Sequence, residues 1–269
     1  MGNITNENSL LDWCVKYNFN AISVYDLNVI LSNTNNWGIL AQFIKKARVT
    51  YGINQIAAVR GSSANFIENA NYDSSRTDLN ERFTVYNLEN EWWNAGPACN
   101  FTCYIDILQT MNDTAKNLTP SMIREIYIGW FQNPVGQEFA MATTLESLLD
   151  RIMVHDYQTA PQFSYLQGRM TYLGQAANSQ NKTVNVIIIF SAEYTFMNNY
   201  FNITGQNYTF DDAYVTILNE FNATNFNFKD NVQLIGYQIF CYSYAKAARP
   251  WYMLFILYFS SMKGHIVHN

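Results

Sequence analysis

The stretch Val184-Asn185-Val186-Ile187-Ile188-Ile189-Phe190 indicates the fold class of this chain. It is short, nearly all apolar and rich in β-branched residues, as expected of a strand that is buried on both faces. Similar runs occur at residues 21–25, 55–59, 83–88, 125–130, 151–154 and 232–237. Helical patterns lie between many of them, at residues 37–51, 104–116, 138–149, 165–177 and 211–221. Buried strands that alternate with helices predict an α/β fold with a parallel sheet covered on both faces.

Two architectures are built from this alternation, a doubly wound open sheet and a closed barrel. Strands spaced about 30 residues apart fit the (β/α)8 barrel, whose usual length is around 250 residues. A dinucleotide-binding open sheet would need a glycine-rich turn after its first strand, whereas Asp26-Leu27-Asn28 follows the first strand of this chain. We therefore predict an α/β fold of the (β/α)8 TIM-barrel type.

The predicted barrel lacks its first strand. Residues 9–17 have a helical pattern with Ser9 as the N-cap, so the first visible strand follows a helix and corresponds to the second strand of a barrel. The apolar residues 252–259 are the spare strand-like candidate. We predict one barrel domain over residues 1–250 and an apolar C-terminal tail, residues 251–269, that packs on the barrel or completes it. The apolar run of this tail is about ten residues long, which is too short to span a bilayer.

Composition excludes several classes of partner. The net charge is -5, which argues against nucleic acid and against an anionic membrane surface, because both require clustered Lys and Arg. Only 14% of the residues are charged, whereas 16% are aromatic and about an eighth are Asn. A neutral, polar and aromatic-rich surface suits an uncharged ligand such as a sugar.

The cysteines and histidines are too few to organise the fold. The chain has 4 cysteines in 269 residues, which is not the density of a disulfide scaffold. Cys99 and Cys103 either form one local bridge or pack as free thiols. The 3 histidines do not lie at ligand spacing from a cysteine pair, so we expect no zinc site, no other metal and no cofactor. The first residues have neither the basic nor the apolar region of a signal peptide.

The functional residues of a barrel lie at the carboxyl ends of its strands. The densest group of polar and aromatic residues follows the third predicted strand. Side chains alternate along a strand, so Asn87, Glu89 and Glu91 project to one side, with the two carboxylates about 7 Å apart. Carboxylates this close repel each other, so one should have a raised pKa, which suits a general acid. The alternative is an ordinary ion pair between one of these carboxylates and Arg60 or Arg82.

The segment Thr84-Val85-Tyr86-Asn87-Leu88-Glu89-Asn90-Glu91 resembles a degraded form of the Asp-x-x-Asp-x-Asp-x-Glu signature of family-18 glycoside hydrolases, the chitinase-like (β/α)8 barrels. In that family the final Glu is the general acid, and the preceding Asp orients the acetamido group of the substrate, which attacks the anomeric carbon. The resemblance implies Glu91 as the acid and Glu89 in the orienting position, with Asn87 and Thr84 in place of the other two carboxylates. Because Glu89 is longer than Asp and Asn87 is uncharged, a mechanism that pairs Glu91 with Glu89 or Glu193 is an alternative.

A second match lies two strands later. Met153-Val154-His155-Asp156 is similar to the family's Met-x-Tyr-Asp motif, with His155 in place of the Tyr and Asp156 unchanged. The last strand, around residues 236–240, lacks the family's Trp. Because alternation places Glu89 beside Glu91 at a strand end and Asp156 lies two strands on, we expect Glu89 and Asp156 to shape the pKa of Glu91.

These patterns give a set of candidate site residues. The predicted catalytic residues are Glu91, Glu89 and Asp156, and the predicted substrate-binding residues are Asn87, Trp92, Trp93, Trp130, His155, Tyr157, Glu193 and Gln238. Aromatic faces stack on sugar rings, and carboxylates bind hydroxyls or transfer protons.

We therefore expect a glycoside hydrolase-like barrel that acts on or binds a β-linked oligo- or polysaccharide. The alternative is a non-catalytic barrel that binds a glycan or a protein and has lost the hydrolase mechanism. A barrel enzyme for phosphorylated substrates is disfavoured, because no glycine-rich phosphate loop follows the late strands. A polysaccharide ligand implies an extracellular or cell-surface location.

Overall fold

Parallel strands joined by helices make up the computed structural model, which describes residues 1–94, 99–132 and 134–250. The predicted C-terminal tail lies outside the described residues. The strands are β1 (Ala21–Val24), β2 (Gln55–Arg60), β3 (Val85–Leu88), β4 (Ile123–Ile128), β5 (Arg151–Asp156), β6 (Val184–Ser191) and β7 (Val232–Phe240). Each strand pairs in parallel with the next, in the order β1 to β7, and the sheet curls into a half-barrel. The predicted α/β class with a TIM-like parallel sheet is confirmed.

Helices follow the strands along the chain. They are α1 (Ile4–Lys16), α2 (Asn28–Leu31), α3 (Trp37–Lys45), α4 (Ser63–Ser75), α5 (Phe101–Lys116), α6 (Glu138–Leu148), α7 (Phe163–Ser179), α8 (Asn198–Phe201), α9 (Phe210–Ala223) and α10 (Tyr242–Ala248). Within the described ranges, none of these helices has both the length and the apolarity to cross a membrane.

Several helices differ from the sequence-based prediction, since α2, α4, α8 and α10 were not predicted and α1 begins earlier than expected. The first begins at Ile4 rather than near Ser9, because the side chain of Asn3 caps it by accepting a hydrogen bond from the Asn6 N–H at 3.1 Å. The helix α4 was not predicted, since its Asn- and Ser-rich sequence has a weak apolar stripe. Ser62 caps α4 by accepting from a backbone N–H. Local capping chemistry therefore decides helix starts that apolar periodicity alone misses.

Side-chain alternation gives the sheet an outer and an inner face. On the outer face, Ile126, Val154 and Ile188 are fully buried and join helix residues such as Leu108 in one apolar cluster. Each such side chain contributes roughly 1.5–3 kcal/mol by leaving water. The inner face, which the curl of the sheet encloses, carries polar side chains such as those of Asn87, Glu125 and Arg151.

The curl brings the first and last strands side by side. Ser23 of β1 donates its hydroxyl to the Gln238 side chain of β7 at 3.3 Å. The rings of Tyr25 and Phe240, at the carboxyl ends of these strands, have centroids 6.2 Å apart. The backbones of β1 and β7 do not pair with each other. Among the described residues, side-chain contacts rather than backbone pairing connect β1 with β7.

Covalent chemistry adds one local constraint. Cys99 and Cys103 form a disulfide at the start of α5, which decides between the two alternatives left by the sequence. Cys14 is a buried free thiol, and Cys241 is a partly buried one.

Glu146 on α6 is a buried acid whose two carboxylate oxygens accept no hydrogen bond of normal length. The ammonium of Lys182 approaches only to 3.8 Å and donates instead to the Glu146 carbonyl. Burial outweighs this positive charge and raises the pKa of Glu146 to about 8. The pKa of a glutamate in an unfolded chain is about 4.3. Between these values the folded chain binds an extra proton, so its stability falls as the pH rises through this window.

We expect Glu146→Gln to flatten this pH dependence and to raise the free energy of unfolding near pH 8 by about 1–3 kcal/mol, because the amide has no proton to hold. Urea unfolding near pH 5 and near pH 8 measures both effects. The matched control is Glu138→Gln in the first turn of the same helix, where a negative charge favours the helix dipole. This control should lose a few tenths of a kcal/mol at both pH values. A Glu146→Gln variant that keeps the wild-type pH slope would contradict the assignment.

Candidate functional site

Glu89 lies directly beyond the carboxyl end of β3, where its backbone N–H donates to the Arg60 carbonyl at 3.0 Å. This bond extends the β2–β3 ladder by one residue, so the Glu89 side chain lies on the same face as Asn87. Glu89 is half-buried, and the hydroxyl of Tyr25 donates to its carboxylate. Burial raises the pKa of Glu89, the Tyr25 hydrogen bond opposes this rise, and the charge of Glu91 adds to it. Glu89 therefore keeps its proton to a higher pH than an ordinary glutamate does.

Glu91 lies in the turn after β3 and is exposed. Its carboxylate accepts a hydrogen bond from the side-chain amide of Asn94. Its charge raises the pKa of both Glu89 and Tyr127, so the three groups are neighbours. The structure thus places the two predicted carboxyl groups together, one half-buried and one in solvent.

The arginines considered as partners of these carboxylates have other partners. Arg60 is buried and pairs with Glu68 at 2.5 Å. Arg82 donates to the backbone carbonyls of Arg76 and Thr119. Both guanidinium groups therefore stabilise the helical layer and its loops rather than the edge of the sheet.

Four aromatic residues line the inner face near Glu89, and we call them the aromatic arc: Tyr25, Tyr127, Tyr157 and Phe240. The ring centroids of Tyr127 and Tyr157 are 6.4 Å apart, and those of Tyr157 and Phe240 are 6.3 Å apart, both pairs with planes inclined at 30°. Tyr127 is only 7% exposed, whereas the rings of Tyr25, Tyr157 and Phe240 are partly accessible at this edge. Only Tyr157 was predicted from the sequence. The other three also lie at or just after the carboxyl ends of strands, and this position in the sequence is the feature from which they could have been predicted.

A third carboxyl group, that of Glu193, follows β6. The Ser191 hydroxyl donates to Glu193 at 2.9 Å. The charges of Glu89 and Glu193 both raise the pKa of the Tyr157 hydroxyl. The predicted residues Glu193 and Tyr157 therefore lie at the same edge as Glu89.

Two tryptophans predicted to stack on a ligand lie in the core instead. Trp92 is 1% exposed and packs against Tyr104 of α5, with ring centroids 4.4 Å apart. Trp93 is 4% exposed and packs against Tyr127. Its indole also lies so close to Gly129 that a Cβ atom added at residue 129 would be 2.8 Å from it. Both indoles fill space between the sheet edge and the helical layer. Neither presents a free face to a ligand.

His155 and Trp130 belong to one half-buried aromatic cluster. The ring nitrogens of His155 each lie 3.4 Å from a tyrosine hydroxyl, one from Tyr127 and one from Tyr165. Burial, with the nearby charge of Arg169, lowers the pKa of His155 to about 3, so its imidazole is neutral at physiological pH. The Arg169 guanidinium lies 4.6 Å from the ring centroid of Trp130. This cluster holds the ends of β4 and β5 against α7 and lies beneath the edge rather than on it.

Asp156 projects to the outer face, because it follows the inward-facing His155 on β5. It is 0% exposed, and its carboxylate accepts the Gln162 N–H at 2.9 Å. Burial raises the pKa of Asp156 to about 7 despite this hydrogen bond. The structure therefore does not bring Asp156 together with Glu89 and Glu91, since the sheet lies between them.

A polar network crosses the inner face below Glu89. The Asn87 side chain donates to Glu125 at 2.6 Å. Arg151 donates to the same carboxylate at 2.5 Å and to the Gln55 side chain at 2.7 Å. We call these four residues the inner network, which links β2, β3, β4 and β5. Asn87, predicted to bind substrate, is thus a partner of the fully buried Glu125. The charged residues Glu125 and Arg151 within two predicted strands are the sequence feature that indicates this network.

A cavity of about 230 Å³ opens at the carboxyl ends of β1, β2 and β3. Its lining residues are Tyr25, Asp26, Leu27, Asn28, Val59, Arg60, Gly61, Asn65 and Glu89. The amides of Asn28 and Asn65 bond each other at 3.3 Å and still have donors and acceptors for hydroxyl groups. Across the described part of the chain, no three His, Cys, Asp or Glu side chains gather as metal ligands would.

We expect Tyr25→Phe to raise the pKa of Glu89 further, because the lost hydrogen bond stabilises the ionised carboxylate. Carbon-13 NMR of the glutamate carboxyls over a pH titration measures this shift, and Glu89→Gln identifies the resonance. The control is Tyr208→Phe, which removes the hydroxyl of a tyrosine stacked on Tyr200 at 4.4 Å. An unchanged or lowered Glu89 pKa in Tyr25→Phe would contradict the assigned hydrogen bond.

We expect Arg151→Met to lower the free energy of unfolding by about 3–5 kcal/mol, because it leaves the buried Glu125 carboxylate without its cation. Urea unfolding at pH 7 measures the loss. Arg124→Met, which breaks the neighbouring ion pair with the exposed Asp150, is the matched control and should cost about 1 kcal/mol or less. Equal losses in the two variants would show that the inner network has no special role.

Comparisons with known proteins identify no family for this chain. A scan against protein-family models finds no match for this chain. A search of curated proteins finds no match either. Among solved structures, the chain is similar to a crystal structure described as an engineered protein of the Northeast Structural Genomics Consortium, with a TM-score of 0.47 and 13% sequence identity. The match covers 81% of this chain, which spans 56% of the length of that engineered protein.

Proposed function

We propose that this chain is a glycoside hydrolase-like barrel that binds a β-linked, uncharged glycan at the carboxyl edge of its sheet, with Glu89 as the general acid. The observation that carries this proposal is the half-buried carboxyl group of Glu89 at the carboxyl end of β3, beside the exposed carboxyl group of Glu91; burial raises the pKa of Glu89. A general acid must hold its proton near the working pH and lie where a leaving oxygen can reach it. Burial raises the pKa of Glu89 toward the first condition, and its position at a strand end favours the second.

The aromatic arc supports a sugar as the ligand. Its rings lie on the same face as Glu89, and the two stacked pairs place their planes at similar angles. The cavity beside Glu89 contributes the amides of Asn28 and Asn65, which suit sugar hydroxyls. Stacking surfaces, neutral hydrogen-bonding groups and a carboxyl group whose pKa is raised together favour a glycan over a charged metabolite.

Glycoside hydrolysis needs a second carboxyl group besides the acid. Glu91 and Glu193 lie at the same edge, and either supplies the carboxylate that attacks the sugar or activates water. This assignment exchanges the roles expected from the resemblance to family-18 hydrolases, in which Glu91 would be the acid. We do not carry over the family's substrate-assisted step, because Asn87 bonds Glu125 and Asp156 lies on the opposite face of the sheet. What remains of the resemblance is a TIM-like parallel sheet with the candidate site after β3.

The alternative function is a non-catalytic barrel that binds a glycan. The buried positions of Trp92 and Trp93 favour it, because they reduce the aromatic surface that would hold a substrate in a productive position. Both functions imply an extracellular or cell-surface location. The Cys99–Cys103 disulfide supports that location, since disulfides persist in oxidising compartments.

We expect Glu89→Gln to lower the rate of glycan cleavage by about 10²–10⁴-fold while binding stays within a few-fold of wild type, because the amide keeps the shape but cannot donate the proton. Cellohexaose, xylohexaose, laminarihexaose and chitohexaose serve as probes, with cleavage followed by chromatography and binding by calorimetry. Glu81→Gln, before β3 at the opposite end of the sheet, is the matched control and should retain full activity.

Each outcome separates the two functions. Cleavage by the wild type that is lost in Glu89→Gln supports the hydrolase. Binding of a probe without cleavage by the wild type favours the non-catalytic barrel. Cleavage that survives Glu89→Gln but is lost in Glu91→Gln would return the acid role to Glu91.

A further inference from the structure

A slot lies where the edge strands β1 and β7 meet the helices α1 and α10. Its volume is about 450 Å³, which is within the range of about 300–1,000 Å³ that is usual for small-molecule sites. The cavity beside Glu89 is smaller, at about 230 Å³. On the inner face of the sheet, Ser23 and Gln238 bond each other directly across the slot. The slot therefore has the size of a ligand site and a wall of bonded side chains on one side.

The lining of the slot is mainly apolar and aromatic, and includes Leu10, Trp13, Phe19, Ile22, Ile239 and Tyr242. The Trp13 indole stacks on Phe19 with ring centroids 5.1 Å apart and touches Tyr242 at 5.3 Å. Trp13 is 5% exposed. These ring contacts hold the lining in place without a ligand, and a site formed in advance costs less to occupy.

Two buried polar atoms of this lining have no hydrogen-bond partner within the described part of the chain. They are the indole nitrogen of Trp13 and the hydroxyl oxygen of Tyr242. Native structures leave few buried polar groups unpaired, because such groups have lost their bonds to water. The rings that carry the two atoms touch each other, so one ligand group can reach both. The indole donates and does not accept, so this group must contain an acceptor oxygen.

Charge limits the ligand further. Asp26 lines the slot, and the described lining includes neither Lys nor Arg. A carboxylate or a phosphate would therefore lose its water without meeting a cation, which is costly. An ammonium group has no acceptor to offer the Trp13 N–H. An uncharged oxygen group fits both conditions.

We propose that this slot binds an uncharged amphiphile, an aliphatic chain that ends in a neutral oxygen group such as an alcohol or an amide. The chain lies against Leu10, Ile22 and Ile239, and the terminal oxygen accepts the Trp13 N–H and bonds the Tyr242 hydroxyl. This inference is independent of the glycan-directed role, because it rests on the two unpaired atoms and the apolar lining rather than on Glu89.

The probes are 1-octanol and its charged counterpart octanoate, titrated into the full-length chain by calorimetry. We expect 1-octanol to bind at least about tenfold more tightly than octanoate at pH 7, because only the carboxylate carries a charge into the slot. The indole proton of Trp13, identified in nitrogen-15 NMR spectra by its loss in Trp13→Phe, should move downfield as 1-octanol binds, because it gains a hydrogen bond.

Tyr242→Phe should weaken 1-octanol binding by about two- to tenfold, because it removes one hydrogen bond and keeps the ring. Tyr172→Phe is the matched control, since it removes the hydroxyl of a half-buried tyrosine on α7, outside the slot. This control should bind 1-octanol as the wild type does.

Three results would overturn the proposal. The first is 1-octanol binding that leaves the Trp13 indole proton in place, and this measurement on the wild type decides even if Tyr242→Phe fails to fold. The second is octanoate binding as tightly as 1-octanol. The third is a wild-type chain that does not bind 1-octanol, which would mean that protein fills the slot. Light scattering would then distinguish a second copy, which gives a dimeric mass, from a part of the same chain.

Discussion

The buried carboxylate of Glu125 is the constraint on which the rest of the sheet depends. A charge this far from water is tolerated only when a cation and hydrogen bonds surround it, and the inner network provides both through Arg151 and Asn87. These partners come from the two strands next to β4, so the network fixes how the central strands meet on the inner face. Because Asn87 is fixed, Glu89 two residues later is fixed on the same face, at the rim of the sheet. The candidate acid is thus positioned by a charge pair that lies below it.

The same alternation decides which candidate residues reach the edge. His155 and Asp156 are neighbours in the chain, yet one faces the enclosed side of the sheet and the other the helices. Burial disfavours the charged form of each group, so it lowers the pKa of His155 and raises that of Asp156. Two consecutive residues of a strand reach the same face only where a bulge interrupts the alternation. The pairing of β5 with β4 and with β6 is regular, so His155 and Asp156 lie on opposite faces.

The apolar strands were predictable because a strand that is buried on both faces has a continuous run of apolar residues, and this run is visible in the sequence of each strand by itself. The positions of Trp92 and Trp93 were not predictable, because they depend on where the chain turns after β3 and on how closely Gly129 allows an indole to approach. The choice between Glu89 and Glu91 depends on burial, since Glu89 is half-buried beside Tyr25, more than 60 residues away in the sequence, whereas Glu91 is exposed. Spacing along one strand places two carboxyl groups together but does not tell which of them is desolvated.

Tyr25 connects the closure of the sheet to the chemistry of its edge. It lines both the cavity beside Glu89 and the slot between the edge strands. Its ring touches Phe240 across the slot, while its hydroxyl bonds the Glu89 carboxylate. Whatever holds β1 beside β7 therefore also holds this hydrogen bond, which lowers the pKa of Glu89 against the effect of burial. Separation of the two strands would remove both influences, since it would expose Glu89 to water and withdraw the hydroxyl. The protonation of the candidate acid is thus a property of the curled sheet as a whole and not of β3 alone.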